Sequence, residues 1–334
     1  MRLVNVLALT NGLLVNDPFV SNFTNIVFDT KSVKRGDLFI AFDKSLIPDA
    51  IKNGAYGIIF DKPTKISDDE IAWIKVDDVS QALKKLLRFR LVELEVVSYS
   101  CDEIVLQFAL QMMIDPKLII VHGDIQKIAK TIWNIEPKTN ILFSPLLCDS
   151  DIFTDIKSLP KQTQPILHII EKTLFETSFI YQDKIYERQM ISPLFIPYLE
   201  QLITLLHTLN INFRLRKFTQ LEHFKPLFIN KSFQIQEFGT TDKVIIFENS
   251  VQYIPQEIEF LQHNANWANL LFVVPHYVKE EQKLLYKNLY SYKSKKGLIK
   301  ILKQHPFHFA LVLHSDSTIL ELSLPKPTQL TLEL

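Results

Sequence analysis

Glycine is scarce, with 7 in 334 residues, where a usual share of about 7% would give roughly 23. Glycine supplies the positive φ angles and bare backbone with which a chain wraps a phosphate, so few places exist to build such a loop. The seven are Gly12, Gly36, Gly54, Gly57, Gly123, Gly239 and Gly297. None of them falls in a GxGxxG or GxxxxGK[ST] run, which excludes both nucleotide fingerprints in their standard form. Cysteine is scarcer still. Cys101 and Cys148 are too few for a disulfide framework and lack the partners of a CxxC metal site, so a reducing cytoplasm is the expected setting. Neither charge is in excess, since 37 basic side chains face 37 acidic ones. A neutral sum provides no general attraction to nucleic acid or anionic lipid and leaves only a local patch open. No run approaches the roughly 18 apolar residues of a membrane helix. The opening MRLVNVLALTNGLL is interrupted by Asn5 and Asn11 and is followed by no small-residue cleavage site. A chain without membrane insertion is expected.

What is present is an ordinary globular composition, 47% hydrophobic and 22% charged, at a length that predicts two or three domains. Residues 25–42 read as strand, polar turn, strand, with Gly36 in the turn. A short helix at 49–53 then ends at Gly54, strands follow at 56–60 and 71–76, and a helix at 79–91 carries Leu83, Leu86 and Leu87 on one face. The pattern restarts with a strand at 95–98, a helix at 102–113, and strands at 118–121, 140–143 and 166–170. A hairpin at 173–188 turns at Gln182 and Asp183, and a helix at 197–209 closes the region. Beyond it, strands are expected at 244–247, 270–274, 309–313 and 319–322, with helices at 255–263, 278–288 and 295–304. Strand alternating with helix predicts an α/β protein whose parallel sheets are covered on both faces.

Residues 29–42, DTKSVKRGDLFIAF, resemble the D-S-R-x-V-x-x-G-D-L-F-V-A motif that opens the uridine-binding domain of the Mur ligases. NGAYGIIF at 53–60 and IKVDDVSQALKKL at 74–86 resemble the next two family stretches, in family order. Weaker similarity continues through TSFIYQDKIYERQM at 177–190, HFKPLFINKSFQI at 223–235, VIIFENSVQYIPQEIEFL at 244–261 and FALVLHSDSTILEL at 309–322. Together these are most similar to the D-alanyl-D-alanine-adding (MurF) branch, in a shortened form. The resemblance implies a three-domain α/β architecture: a uridine-binding-like domain at 1–93, a reduced ATPase-like central domain at 94–238, and a Rossmann-like ligase domain at 239–334. It implies an activity as well, the ATP-dependent ligation of a UDP-muramyl peptide through an acyl phosphate.

That chemistry rests on a T-G-[TS]-x-G-K-T loop whose amides and lysine hold the phosphates. The corresponding stretch here is SYSCDEI, 98–104, with neither glycine nor lysine. Ser98, Ser100, Asp102 and Glu103 are therefore expected to mark a degenerate phosphate loop, with Glu103 at the lysine position, where its charge would repel phosphate. The uridine-motif serine and arginine are Thr30 and Lys31, which keep the charge without the forked guanidinium. The family's G-x-x-x-D-G-H loop after Phe42 is missing. D-D-S-Y-N-A-N becomes Glu248 to Ile254, K-G-S becomes His314, Ser315 and Asp316, and the magnesium-holding residues of the central domain have no counterpart.

Asp29, Thr30, Lys31 and Asp37 are the expected remnant of a uridine site, against the plainer reading in which Gly36 and Asp37 make a turn that Asp29 caps. His305 and His308 lack a third ligand for a metal, and His122, Gly123 and Asp124 read as a turn after a strand. Cys101 reads as buried, with Asp102 and Glu103 opposing a thiolate. Lys287, Lys293, Lys295 and Lys296, with Tyr286, Tyr290 and Tyr292, read as a solvated helix end and loop. No catalytic or metal-ligating residue is assigned. The expectation is a catalytically silent homologue of peptidoglycan precursor metabolism that needs neither ATP nor magnesium. It would act by binding a UDP-muramyl peptide or through cell-wall synthesis proteins, with no nucleic acid as partner. Two alternatives stand beside it: an active ATP- and magnesium-dependent UDP-N-acetylmuramoyl-tripeptide:D-alanyl-D-alanine ligase with a phosphate site rebuilt from Lys117, Lys127 or Lys130, and a structural adaptor without a small ligand.

Overall fold

The computed structural model describes residues 1–162, 164–281 and 286–323. The chain divides into two compact units, Met1–Lys161 with Gln201–Arg214, and Gln162–Glu200 with the chain from Leu215 on.

The first unit opens with helix Leu3–Thr10 (α1) and continues through Ile47–Lys52 (α2) and Val79–Glu93 (α3). Among them run the strands Leu13–Leu14 (β1), Ile26–Val27 (β2), Leu38–Ile40 (β3), Gly57–Phe60 (β4) and Ala72–Lys75 (β5). Their order is β1-β5-β4-β3-β2, with β1 antiparallel and the rest parallel. Successive strand residues alternate between two apolar faces. Leu38, Ile40, Ile59 and Ile74 pack with α1 and α3, and Phe39, Ile58, Phe60 and Trp73 with α2. Asp78 starts α3 by accepting the Gln81 N–H, and the buried Val79, Leu83, Leu86 and Leu87 form its inner face. Helix α1 lies where the sequence suggested only an interrupted apolar run. Asn5 faces outward, and Asn11, at φ 54°, ends the helix in the left-handed region that asparagine tolerates.

A second, four-stranded parallel sheet in the same unit contains Val97–Ser100 (β6), Leu118–Val121 (β8), Asn140–Phe143 (β9) and Ile156–Ser158 (β10), in the order β10-β6-β9-β8. Helix Glu103–Gln111 (α4) follows β6, and Ile125–Ile132 (α5) follows β8. Met113–Ile114 (β7) pairs antiparallel with Phe213–Arg214 (β14). One apolar cluster runs from the first sheet through α1 and α3 to α5, joining Leu83 and Leu87 to Ile128, Ile132, Ile141 and Phe143. Strand β6 starts two residues later than expected because Glu95 takes a positive φ of 53° after α3. The division between units falls within helix Ile196–Thr208 (α6).

In the second unit His168–Lys172 (β11), Thr177–Tyr181 (β12) and Lys184–Gln189 (β13) form an antiparallel sheet. Gln182 and Asp183, both at positive φ, make the two-residue turn expected there. A five-stranded sheet follows from Lys225–Ile229 (β15), Lys243–Glu248 (β16), Leu270–Pro275 (β17), Leu289–Tyr292 (β18) and Phe309–Leu313 (β19). Its order is β15-β16-β19-β17-β18, and all but β15 are parallel. Helices Ile254–Asn264 (α7), His276–Glu281 (α8) and Lys295–Gln304 (α9) connect the parallel strands. The expected strand at 319–322 is instead part of a 3-10 helix, Ser317–Ser323. Adjacent Ile319 and Leu320 are both buried against α9 and β19, and a strand would turn one of them outward. The expected helix at 278–288 also differs: residues 282–285 lie outside the described residues, and 286–288 form a turn leading into β18. No helix among the described residues is long and apolar enough to cross a membrane.

Candidate functional site

The 29–37 segment is built from its own carboxylates. Asp29 accepts the Lys31 N–H at 3.1 Å and caps a 3-10 turn at Thr30–Ser32. Asp37 is buried and accepts the Lys34 N–H at 2.9 Å. Gly36 has φ +96°, and a Cβ there would lie 2.6 Å from Thr24 Oγ1. The turn therefore requires glycine, and it holds Lys34 and Arg35 at the surface. Beside it lies a cleft of about 560 Å³, lined by Phe28, Asp29, Lys34, Arg35 and Asp37 together with Lys130 and Trp133 of the α5 segment. Trp133 donates its indole N–H to Asn25 Oδ1 at 3.0 Å and stands edge-on to Phe28, with centroids 6.0 Å apart. The cleft combines an aromatic wall with three cations, which suits a planar ring joined to phosphate. Of the four expected uridine-site residues, Asp29 and Asp37 line the cleft. Thr30 and Lys31 take part in the capped turn beside it; Thr30 also accepts the Asn53 side-chain amide on its carbonyl.

The expected phosphate-loop residues fall on a different feature. Ser98 and Ser100 lie inside β6, and only Cys101 and Asp102 separate that strand from α4. Asp102 caps α4 by accepting the Ile104 N–H at 2.9 Å, and the Cys101 N–H is taken by the Phe143 carbonyl. Glu103 is the first residue of the helix. In so short a junction the Cys101 and Ile104 amides are already taken and the helix start carries two carboxylates, a poor fit for a nucleotide's phosphates or their magnesium. Cys101 is buried and donates to the Phe143 carbonyl, and burial pushes its thiol far above the ordinary range.

Lys117, Lys127 and Lys130 occupy three separate places. Lys117 lines another cleft, of about 640 Å³, with Asp115 and Asn140. Lys127 holds its ammonium 3.2 Å from both ring nitrogens of His122. Burial first, then this charge, lowers the His122 pKa. Only Lys130 joins the 29–37 cleft. Helix α5, and with it Trp133, was not among the expected elements, although Asp124 as a cap and the spacing of Ile125, Ile128 and Ile132 indicate it.

The fold is similar to that of solved MurF structures. One is MurF from Acinetobacter baumannii, at TM-score 0.49 and 11% identity over 96% of this chain and 97% of that one. Another is MurF ligase from Thermotoga maritima in complex with ADP, at TM-score 0.45 and 12% identity over 89% and 95%. No family model and no curated protein matches the sequence.

In the second unit Glu248, the last residue of β16, is fully buried. Its carboxylate accepts from His223 Nδ1 at 2.8 Å and from the N–H groups of Phe224, Asn249 and Ser250. Burial works to raise the Glu248 pKa, but the His223 hydrogen bond and the other donors outweigh it and hold the pKa below the ordinary value. Glu257 of α7 is also fully buried. Burial, and then the Glu248 charge, push its carboxyl well above the carboxylate range, which favours the protonated acid. Among the described residues no three His, Cys, Asp or Glu side chains are grouped to hold a metal. His308 Nδ1 accepts the Asn269 N–H at 2.9 Å. Of the lysine and tyrosine group at 286–296, Lys295 reaches Thr318, and Tyr292 donates to the Leu313 carbonyl.

Proposed function

We propose that this chain is a cytoplasmic, Mur-ligase-like protein of peptidoglycan precursor metabolism that binds a UDP-muramyl peptide without ligating it. The observation that carries the reading is the cleft at the 29–37 turn, where the segment most similar to the family's uridine motif presents its own Lys34 and Arg35 beside Lys130 and the Phe28 and Trp133 rings. Uracil would lie against the aromatic wall and the diphosphate against the cations. Catalytic silence is supported by the two-residue connection between β6 and α4, which offers no glycine, no lysine and no unused amide at Cys101 or Ile104. The three-domain division at 93 and 238 belongs to the same proposal, as does delivery of the bound precursor to cell-wall synthesis proteins.

Calorimetric titration of the full chain with a UDP-muramyl peptide and, separately, with magnesium ATP tests it. Saturable binding of the UDP compound alone is expected. ATP binding would overturn the silent reading in favour of a ligase with a rebuilt phosphate site. Absence of both would remove the precursor site and leave an adaptor that works through protein contacts.

A further inference from the structure

The amino-terminal edge of the five-stranded sheet in the second unit carries a cleft of about 780 Å³, which includes Lys231, Asp242, Lys243, Asn269, Phe307 and His308. Lys243, the first residue of β16, holds its ammonium 4.2 Å from the Phe233 ring centroid and 4.5 Å from that of Phe307. Both rings are buried. The π faces attract the cation but accept none of its three N–H bonds in ordinary hydrogen-bond geometry. No carboxylate or carbonyl of the described residues pairs with it. Burial lowers the Lys243 pKa, and the charge of neighbouring Asp242 opposes this more weakly.

His308 supplies a second oriented donor. Because its Nδ1 accepts the Asn269 N–H at 2.9 Å, the proton of the neutral ring resides on Nε2. Lys231 and the Asn269 side chain add further donors, and Asp242 is the one carboxylate along the wall. The half-buried Lys243 ammonium is the strongest donor along this wall.

We propose that this edge of the sheet is an oxyanion site, in which Lys243 and His308 take a phosphate or carboxylate group of a small molecule. The site does not depend on the precursor reading, since no residue of the 29–37 cleft takes part in it.

Trp267 reports on it, being 68% exposed with its ring 5.5 Å from that of His308. In full-length protein carrying Trp133→Phe, which removes the indole of the first cleft, inorganic phosphate and acetate are titrated separately at constant ionic strength while tryptophan fluorescence is followed. A saturable change with phosphate is expected, and Lys243→Met should weaken it about tenfold or more, as loss of a charge-assisted hydrogen bond does. His308→Gln, which keeps a donor, should weaken it less than His308→Phe, and this pair serves if Lys243→Met fails to fold. A response to phosphate alone assigns a phosphorylated ligand, and a response to both anions extends the class to carboxylates. No saturable change with either anion, or an unchanged one in Lys243→Met and both His308 variants, would overturn the site.

Discussion

Glu257 and Glu248 present the same functional group to the same buried environment and titrate in opposite directions, because only Glu248 has a histidine and three N–H donors to meet its charge. Glu257 has its pKa raised on folding, so it adds stability that is full below the unfolded carboxylate value and is lost as pH rises through the folded value. Glu248 has its pKa lowered, so its contribution is present above the unfolded value and is lost as pH falls through the folded one. Glu257→Gln should therefore gain stability relative to the parent as pH rises above the carboxylate range, which thermal melts across pH 5 to 9 would reveal. A difference independent of pH would contradict the buried proton. His223→Ala should cost about 1–3 kcal/mol, the penalty for leaving a buried acceptor short of its donor, measured by denaturant unfolding. Thiol chemistry follows the same logic. Burial pushes Cys148 up to about 11 and Cys101 higher still, so neither should react quickly with a disulfide reagent at neutral pH until the chain is unfolded.

Short elements decide where chemistry is available. Asp102 ends the β6–α4 junction by spending its carboxylate on the first turn of the helix, so Asp102→Ala should lower stability by about 1 kcal/mol. It should confer no measurable affinity for ATP, because Glu103 and the short connection remain. Helix α5 has the opposite role, projecting Lys130 and Trp133 toward a turn about a hundred residues earlier in the chain. Lys130→Met should weaken binding of a UDP-muramyl peptide about tenfold in calorimetry, while Lys117→Met should leave it unchanged. How far such elements were legible depended on their signals. The spacing of Leu83, Leu86 and Leu87 indicated α3, and Gln182 and Asp183 indicated the hairpin turn. Helix α1 was hidden because asparagine on an outward face looks the same in sequence as asparagine that breaks a helix. At 319–322 the apolar pair Ile319 and Leu320 fits a strand as readily as a 3-10 turn, and only packing against α9 decides between them.

At the scale of the whole molecule, the two compact units make ligand effects separable. A precursor held in the first cleft should protect 24–37 and 130–134 from hydrogen exchange and leave the β16 to β19 region unchanged. Phosphate at the second site should do the reverse. At a hundred times its Kd a ligand adds about 2.7 kcal/mol to the stability of the unit that binds it. Protection spread over both units by either ligand would contradict the separation.

Sequence by itself determined the α/β class, the apolar strands and most of the helices, because alternation and helical spacing are local and leave a periodic trace. It also determined the shortage of phosphate-wrapping loops, since seven glycines limit such loops whatever the fold. Tertiary structure alone decided which charges meet. It brought Lys130 and Trp133 to the 29–37 turn, left Lys117 and Lys127 elsewhere, placed Ser98 and Ser100 in a strand, and set Lys243 between two phenyl rings. The physical reason is range. A helix or a turn is specified by neighbours a few residues apart, whereas a binding site is specified by side chains that become neighbours only when the sheets and helices pack.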